Sequence, residues 1–344
     1  MRSHLAEYLP RLWYRRALAP ALLPLLPLSW LFGALVATRR AAYRCGLLRS
    51  EHLPVPVIVV GNLIAGGAGK TPLTLWLVEA LRSHGWQPGI VSRGYGASVD
   101  APQLVDASGS PTTCGDEPLL LAQRSGAPVA VGRDRVAAAR ALLAAHSGCN
   151  VIVADDGLQH YRLARDVELA VFDARAAGNG RLLPAGPLRE PLRRLAGVDA
   201  VVLNGIDRLP DLPVGLPCHA MRLAGSRFAA LGDPARQCSA EGLAATLNGR
   251  ALHAYAGIGE PPRFFRHLAA LGLSCREHPF PDHHRFTAAD FAPARGGVVL
   301  LTEKDAVKCA GLIAGEAWVL PVSAEIEPGL IERILEKLNG RKAS

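Results

Sequence analysis

The chain has 344 residues, of which 49% are hydrophobic and 20% charged, and this composition excludes an intrinsically disordered protein. At roughly 100 to 200 residues per domain, the length predicts two compact lobes. The net charge of +8 and the isoelectric point near 9.4 fit a nucleic-acid, membrane or phosphate-rich partner and do not distinguish between them. The seven cysteines contain no C-x-x-C pair, which argues against a zinc cluster or a disulfide framework and indicates a reducing compartment.

An uncharged apolar segment near the N-terminus is a candidate for membrane contact. It runs from Ala17 to Thr38 between two pairs of arginines, Arg15–Arg16 and Arg39–Arg40. About 20 residues could just cross a bilayer, but prolines interrupt the helix and both flanks are basic. We therefore expect the segment to lie in or dip into one leaflet, with the arginines at the level of the lipid headgroups. A cleaved signal peptide is the alternative, because basic, apolar and small-residue regions follow in the right order.

A strand, a loop and a helix follow this segment. The run Val55–Val60, VPVIVV, is rich in β-branched residues and predicts a buried parallel strand that ends at Gly61. Apolar residues at helical spacing predict a helix from Thr71 to His84, with Gly85 placed to end it. The loop between them is rich in glycine, which is the local pattern of a phosphate-binding site.

Short apolar runs then alternate with helical patterns. They predict a P-loop NTPase-like, doubly wound, mostly parallel sheet with helices on both faces. Further elements beyond a less regular stretch, Pro210–Gln237, predict a smaller C-terminal α/β lobe. We place the N-terminal membrane-associated segment at residues 1–45, the nucleotide-binding lobe at 46–225 and the smaller lobe at 226–344. The predicted strands are Gly89–Ser92, Pro128–Val131, Val151–Ala154, Leu169–Phe172, Ala200–Leu203, Leu252–Ala256, Val298–Leu301 and Trp318–Val322.

The glycine-rich loop reads IAGGAGKT and stands where a nucleotide-binding loop requires it. Its glycines let backbone N–H groups face the β-phosphate, Lys70 can bridge the β- and γ-phosphates, and Thr71 can bind Mg²⁺. The alternative is a glycine-rich turn with an incidental lysine, since Ile64 stands where the strict pattern has glycine. A site for cytosolic ATP also disfavours the signal peptide. The predicted nucleotide-binding residues are Ile64, Ala65, Gly66, Gly67, Ala68, Gly69, Lys70 and Thr71.

Two adjacent carboxylates predict the second half of such a site. Asp155 and Asp156 follow the apolar strand Val151–Ala154. A strand that ends in aspartate delivers a carboxylate beside the phosphate loop, where it holds magnesium through water. The alternative is a polar strand end with both carboxylates solvated.

Several separate motifs resemble the family of tetraacyldisaccharide 4′-kinases of lipid A biosynthesis. The resemblance runs from the apolar N-terminus to the last helix, and Ile64 suits it, because the family's loop resembles G-N-L-x-x-G-G-x-G-K-T. The motifs that carry it are Ser92-Arg93-Gly94-Tyr95-Gly96, Gly115-Asp116-Glu117-Pro118, Asp155-Asp156-Gly157-Leu158-Gln159-His160, Pro187-Leu188-Arg189-Glu190, Ala256-Gly257-Ile258-Gly259, Phe280-Pro281-Asp282-His283-His284 and Thr302-Glu303-Lys304-Asp305-Ala306-Val307-Lys308.

This resemblance implies transfer of the γ-phosphoryl group of ATP, with Mg²⁺, to the 4′-hydroxyl of a tetraacylated glucosamine disaccharide 1-phosphate. The product would be lipid IVA, and the protein would act at the cytoplasmic face of a bacterial inner membrane, with no obligate protein partner evident. The resemblance makes Asp116 the base for the sugar hydroxyl, paired with His283, while Lys70 neutralises charge on the moving phosphoryl group. The residues alone favour instead a helix N-cap role for Asp116 and a surface or core histidine in a polar loop for His283.

Other polar residues in these motifs are candidates for the substrate headgroup and the metal. Arginine suits forked contacts to phosphate, although Arg189 could instead form a surface salt bridge. Glu117 could reach the metal or simply be a solvated first-turn glutamate. Glu303, Lys304 and Asp305 match a family motif, and a charged helix start explains them as well. The candidate substrate-binding residues are Arg93, Tyr95, Gln159, His160, Arg189 and Glu190, and the candidate metal ligands are Thr71, Asp155, Asp156 and Glu117.

Two other functions compete with this one. Asn204-Gly205-Ile206-Asp207 follows an apolar strand where guanine-reading N-K-x-D motifs lie, which would suit a membrane-associated GTPase or ATPase switch that acts through a protein partner. Glycine replaces the lysine of that motif, so the signal is weak. A nucleic-acid ATPase is suggested only by the basic charge, and no nucleic-acid module supports it.

Overall fold

The computed structural model describes residues 9–15, 17–94, 101–210 and 212–342. The predicted substrate residue Tyr95 therefore lies outside the described residues. The α-helices with bounds inside these ranges are α1 Leu26–Arg44, α2 Lys70–Ser83, α3 Pro111–Cys114, α4 Asp116–Ser125, α5 Arg135–Ala145, α6 Ala240–Thr246, α7 Pro261–Ala270, α8 Glu303–Ala306 and α9 Leu330–Lys342, and 3-10 helices span Pro20–Leu25, Leu192–Gly197 and Ala288–Ala294.

The strands form two separate sheets. They are β1 Val57–Gly61, β2 Pro88–Ser92, β3 Gln103–Leu104, β4 Val129–Val131, β5 Val151–Asp155, β6 Val167–Asp173, β7 Ala200–Asn204, β8 Cys218–Ala224, β9 Phe228–Ala230, β10 Asp233–Cys238, β11 Leu252–Ala256, β12 Arg276–Pro279, β13 Val298–Thr302, β14 Ala317–Leu320 and β15 Ser323–Ile326.

The first sheet has nine strands in the order β15-β8-β7-β6-β1-β5-β2-β4-β3. Its inner strands are parallel, and only the edge strands β3 and β15 run antiparallel to their neighbours. Every residue of the central β1 is buried, because both faces of a parallel sheet are covered by other elements. Strands β2, β4 and β3 lie on one side of β1, the chain then returns to place β5 between β1 and β2, and β6 to β8 follow on the other side; this arrangement confirms the predicted doubly wound sheet.

Helix α2 follows β1 and covers one face of this sheet. Leu73, Leu77 and Leu81 recur every four residues on the buried face and are fully enclosed. The helix ends at Ser83, and Gly85 takes a φ of +80° just beyond it. The predicted bounds of this helix therefore agree with the structure to within one residue at each end.

The second sheet has six strands in the order β10-β9-β14-β13-β11-β12. Strands β11 to β14 are parallel, and β9 and β10 add an antiparallel hairpin. This sheet has its own core, in which Phe228, Leu252, Leu268 and Trp318 are buried. The second sheet forms the smaller α/β lobe.

The division of the chain between the two lobes differs from the predicted single segment 226–344. Strand β15 pairs antiparallel with β8 of the first sheet. In α9, Leu330, Ile334 and Leu338 form a stripe that is buried in the core of the first lobe. The physical reason is that this amphipathic stripe and the edge of β8 each need a partner surface, and the first lobe supplies both.

The stretch predicted to be irregular, Pro210–Gln237, also carries β8, β9 and most of β10. Most residues of β8 and β10 are exposed or half-buried. These strands therefore lack the continuous apolar run that marks the inner strands.

The N-terminal helix α1 lies on the first lobe with much of its surface uncovered. The Ser29 hydroxyl donates to the carbonyl of Leu182 at 2.8 Å, while Trp30, Leu31 and Leu35 are 66%, 57% and 63% exposed. Among the described residues, one helical stretch, Pro20–Arg44, is long and apolar enough to cross a membrane, with a mean hydropathy of 1.8.

Candidate active site

The glycine-rich loop connects β1 to α2, and side chains from three places hold its carbonyl groups. Asn62 donates to the carbonyl of Gly66 at 2.9 Å, Asn204 donates to that of Ala68 at 3.1 Å, and Arg175 donates to that of Gly67. Because a trans peptide points its C=O and N–H in opposite directions, the next N–H groups face away from these anchors. The loop thus presents donors at the N-terminus of α2, as a phosphate-binding loop requires.

Two glycines of the loop adopt conformations that other residues rarely reach. Gly66 has a φ of +95° and Gly69 a φ of +96°. A Cβ at Gly69 would collide with the side chain of Asn204. Glycine at position 69 is therefore required both by the backbone and by the close approach of Asn204.

Ile64 and Ala65, at the start of the predicted nucleotide-binding residues, anchor the loop. The Ala65 N–H donates to the carbonyl of Pro187 at 2.8 Å, and the Arg189 N–H donates to that of Leu63 at 2.7 Å. The Ile64 side chain is fully buried. These bonds explain why a bulky residue is accepted where the strict pattern has glycine, and they bring Arg189 beside the loop.

The two predicted carboxylates at the C-terminal end of β5 have different environments, and Asp156 is the one beside the loop lysine. Its Oδ1 lies 3.5 Å from Nζ of Lys70, and Arg189 donates to both of its oxygens at 3.1 and 3.2 Å. Burial would raise the pKa of Asp156, but Lys70 and Arg189 outweigh burial and lower it. Asp156 therefore remains charged.

Asp155 is buried behind Asp156. Burial, followed by the charge of Glu117, raises the pKa of Asp155 to about 7, against the opposite effect of Lys70. Its Oδ1 accepts a hydrogen bond from Thr74 at 3.2 Å, whereas its buried Oδ2 has no hydrogen-bond partner in the structure. An unsatisfied buried carboxylate oxygen calls for a further donor or a cation.

These groups fit magnesium. A magnesium ion is commonly bound by one or two carboxylates together with waters and substrate phosphates. Across the described ranges there is no cluster of three or more His, Cys, Asp or Glu side chains that could enclose a metal. Thr71, Asp155 and Asp156 would thus supply the few protein ligands of a metal that is held mainly by water and phosphate.

Asp116 and His283 are brought together across the two lobes. Asp116 is the first residue of α4 and only 6% exposed, and its Oδ2 lies 3.0 Å from Nδ1 of His283. Gly115, with a φ of +95°, occupies the N-cap position, so the alternative N-cap role of Asp116 is wrong. His283 itself has a φ of +59°, a conformation that favours glycine. The contact that the resemblance implied is therefore present.

The surroundings of this pair shift the pKa values of both Asp116 and His283. Burial would raise the pKa of Asp116, but the hydrogen bond with His283 and the charges of Lys304 and Lys308 lower it overall. Burial would lower the pKa of His283, but the hydrogen bond with Asp116 raises it overall. A charged carboxylate held by an imidazole can accept a proton from a hydroxyl group.

Two clefts meet at the phosphate loop. The apolar cleft, about 240 Å³, lies between the lobes against Thr71, Leu75 and Phe264. The polar cleft, about 720 Å³, opens toward α1. Both reach the loop, and the residues that line both are Gly67, Lys70, Glu117 and Asp282. Ligands in the two clefts would therefore meet beside Lys70.

Most of the described candidate substrate residues line the polar cleft, namely Arg93, Gln159, Arg189 and Glu190. Glu190 is 1% exposed and accepts a hydrogen bond from Tyr161, so it mainly fixes its neighbour. His160 is not among the residues lining either cleft. Burial and the nearby Arg135 lower the pKa of His160 to about 4, so its ring is neutral at pH 7.

Sequence reasoning missed several residues of the clefts. Phe32, Val36 and Arg39 of α1 line the polar cleft, and Arg39 lies over the ring of Tyr161 at 5.8 Å. The position of Tyr161 directly after the Asp155–His160 motif was an available signal. The apolar face of α1 was assigned to lipid alone, and nothing in its sequence indicated that part of it lines a cleft.

The guanine-reading alternative receives no support. Asn204 donates to the carbonyl of Ala68 and accepts from Arg263 at 2.6 Å, so its side chain is committed to the loop and to α7. Asp207 is exposed and lines neither cleft. The two groups that would read a guanine base are therefore not presented together.

Comparison with known proteins agrees with the site. The LpxK family model, described as tetraacyldisaccharide-1-P 4′-kinase, matches residues 21–339. The chain is 58% identical over 343 residues to the tetraacyldisaccharide 4′-kinase of Dechloromonas aromatica (strain RCB), covering 99% of this chain and 100% of the relative. It is 57% identical over 327 residues to that of Azoarcus sp. (strain BH72), covering 94% of both chains.

A solved structure shares the fold. It is the crystal structure, at 2.2 Å, of the "apo" form of LpxK from Aquifex aeolicus in complex with ATP. The TM-score is 0.76 and the sequence identity 31%, and the match covers 92% of this chain and 98% of that one. Family model, relatives and fold agree over nearly the whole length, and the chain belongs to the tetraacyldisaccharide-1-P 4′-kinase family.

Proposed function

We propose that this protein transfers the γ-phosphoryl group of ATP to the 4′-hydroxyl of a tetraacyldisaccharide 1-phosphate, giving lipid IVA. The observation that carries the proposal is the meeting of the two clefts at Lys70, with Asp116 and His283 close by. A phosphoryl transfer needs its donor and acceptor aligned on opposite sides of the moving group. Membership of the kinase family supports the same reaction.

The phosphate loop binds and orients the nucleotide. Its N–H groups, including those at the N-terminus of α2, donate hydrogen bonds to the phosphate oxygens, and Lys70 neutralises charge that develops on the transferred group. The nucleoside would lie in the apolar cleft, against Leu75 and Phe264. Magnesium, held by Thr71 and the carboxylates of Asp155 and Asp156, would neutralise the phosphate oxygens.

Asp116 acts as the base for the acceptor hydroxyl. It takes the proton as the oxygen attacks the γ-phosphorus, and His283 holds the carboxylate in place at 3.0 Å. A carboxylate is sufficient for this role, because a loose phosphoryl transfer demands little basicity.

The acceptor headgroup would occupy the polar cleft. Arg93 and Arg189 offer guanidinium groups for its 1-phosphate, and Gln159 adds an amide. The acyl chains would leave past Phe32 and Val36 of α1 toward the membrane. The uncovered apolar face of α1 supports contact with a membrane, which in this proposal is the cytoplasmic face of the inner membrane.

The decisive experiment is an assay with purified protein, labelled ATP, Mg²⁺ and the tetraacylated disaccharide 1-phosphate in mixed micelles. We expect label at the 4′ position of the lipid product and none with Lys70→Ala. A wild-type protein that hydrolyses ATP without labelling the lipid would exclude the kinase and favour a nucleotide switch.

A further inference from the structure

Lys304 occupies a position that the reaction described above does not explain. It belongs to α8 of the smaller lobe, and its side chain is 15% exposed. Its ammonium nitrogen lies 2.8 Å from Oε1 of Glu117, 3.0 Å from Oδ1 of Asp282 and 3.3 Å from Nε2 of His283. A lysine ammonium group has three N–H donors, so these three contacts use all of them.

The backbone that carries Lys304 is firmly fixed. Asp305 is fully buried and accepts from the N–H of Gly257 at 2.8 Å and from the hydroxyl of Thr302 at 2.6 Å. Thr302 in turn caps α8 by accepting from the N–H of Asp305. Lys304 therefore extends from a rigid turn, and these hydrogen bonds fix the direction in which its side chain leaves the backbone.

Charge holds Lys304 in its protonated form. Burial would lower its pKa, but the carboxylates of Glu117, Asp282 and Asp116 outweigh burial and raise it. The charged ammonium can only donate, and the ring nitrogen it approaches must then accept. The proton of a neutral imidazole is in that case carried by the other nitrogen, Nδ1, which faces Asp116.

We propose that Lys304 is a positioning residue for the Asp116–His283 pair, which it orients by donating to Nε2 of His283 from a site clamped between Glu117 and Asp282. The inference rests on the proposed kinase function for its effect on turnover. In this arrangement the carboxylate of Glu117 binds the ammonium group of Lys304 and is not a ligand of the metal. It also makes the geometry of the base depend on contact between the lobes, because Glu117 lies on α4 of the first lobe and Lys304 on α8 of the second.

A neighbouring ion pair provides a matched control. Glu303 of α8 forms an ion pair with Arg124 of α4, so this pair joins the same two helices. Here α8 carries the acidic residue and α4 the basic one, the reverse of the Lys304–Glu117 pair. Arg124 lies seven residues, or two helical turns, beyond Glu117 on the same helix, and its ion pair is with Glu303. If Lys304 only joined the lobes, loss of the Arg124 pair would have a similar effect.

The first test compares Lys304→Met, Lys304→Arg and Arg124→Gln in the full-length protein. We expect Lys304→Met to lower kcat at saturating ATP about 10- to 100-fold, as for a misplaced catalytic group; ATP must be saturating because Lys304 also lines the apolar cleft. Lys304→Arg should recover part of kcat, and Arg124→Gln should keep it. Wild-type kcat in Lys304→Met, or an equal loss in Arg124→Gln, would overturn the proposal.

The second test needs no activity, so it separates this inference from the kinase assignment. Nitrogen-15 NMR of labelled His283, recorded with the ring neutral, should show the proton on Nδ1 in the wild type and a shift toward Nε2 in Lys304→Met. A wild-type ring protonated on Nε2 would overturn the inference even if Lys304→Met failed to fold. A wild type that carries its proton on Nδ1 but never labels the lipid would instead refute the kinase.

Discussion

At the scale of single residues, Asp116 is the most demanding position of the site. Replacing it with alanine removes the base and its hydrogen bond with Nδ1 of His283, so we expect kcat to fall about 100-fold or more. KM for ATP should change little, because Asp116 does not line the apolar cleft. Steady-state assays at several ATP concentrations measure both quantities. Unchanged turnover in Asp116→Ala would refute its role as the base.

A second residue-scale prediction concerns the response of stability to acid. Burial lowers the pKa of His160 to about 4, below the value of about 6.5 in an unfolded chain. Since the unfolded state then binds more protons, the free energy of unfolding should rise with pH between about 4 and 6.5. His160→Gln should flatten this dependence in urea titrations. Gln at the exposed His146 is the control and should leave the slope unchanged, so equal slopes in all three proteins would contradict the assignment.

The single residues also show what the sequence could provide. The loop lysine and the two aspartates at the C-terminal end of β5 were predicted from their position alone, because a strand end and a helix start bring them to one edge of the sheet. The pairing of Asp116 with His283 came only from the family resemblance. These residues are 167 positions apart, and no local pattern encodes a contact between two lobes.

At the scale of elements, the loop and α2 depend on the glycine at position 69. Gly69→Ala would place a Cβ at a residue with a φ of +96° and against the side chain of Asn204. We therefore expect the free energy of unfolding to fall by more than the roughly 1 to 2 kcal/mol that the backbone conformation alone costs. ATP should then fail to stabilise the variant, although it would add about 2.7 kcal/mol to a competent site at a hundredfold excess over Kd.

The control is Gly85→Ala, which has a φ of +80° and open space around its Cβ. It should lose stability through the backbone alone and keep the full stabilisation by ATP. Thermal unfolding with and without nucleotide measures both effects. Equal responses of the two variants to ATP would show that the loop tolerates the change.

At the scale of the whole molecule, apolar runs in the sequence predicted most of the buried strands. They did not show which lobe the C-terminal strand and helix join. The six strands from β7 to β4 in the order of the first sheet are buried on both faces and so read as continuous apolar segments, whereas β8 does not. Strand β15 and α9 carry ordinary amphipathic patterns that could pack on either lobe. Strand β15 pairs with the free edge of β8, and α9 covers a part of the first core. Both surfaces exist only once the first lobe has folded, so the local sequence does not encode them.

The uncovered face of α1 leads to the last prediction, which concerns the molecule and its membrane. Trp30 and Leu35 are 66% and 63% exposed, and burying side chains of this kind in lipid contributes about 1.5 to 3 kcal/mol each. Trp30→Glu with Leu35→Glu should therefore lower binding to anionic vesicles at least about tenfold in co-sedimentation. Val214→Glu, at a fully exposed valine far along the chain, is the control and should bind as the wild type does.

Both variants should still phosphorylate a detergent-dispersed acceptor if α1 serves mainly to reach the membrane. Vesicle binding that survives the double substitution would mean that another surface makes this contact, and the acyl chains would then need an exit other than the one past Phe32 and Val36.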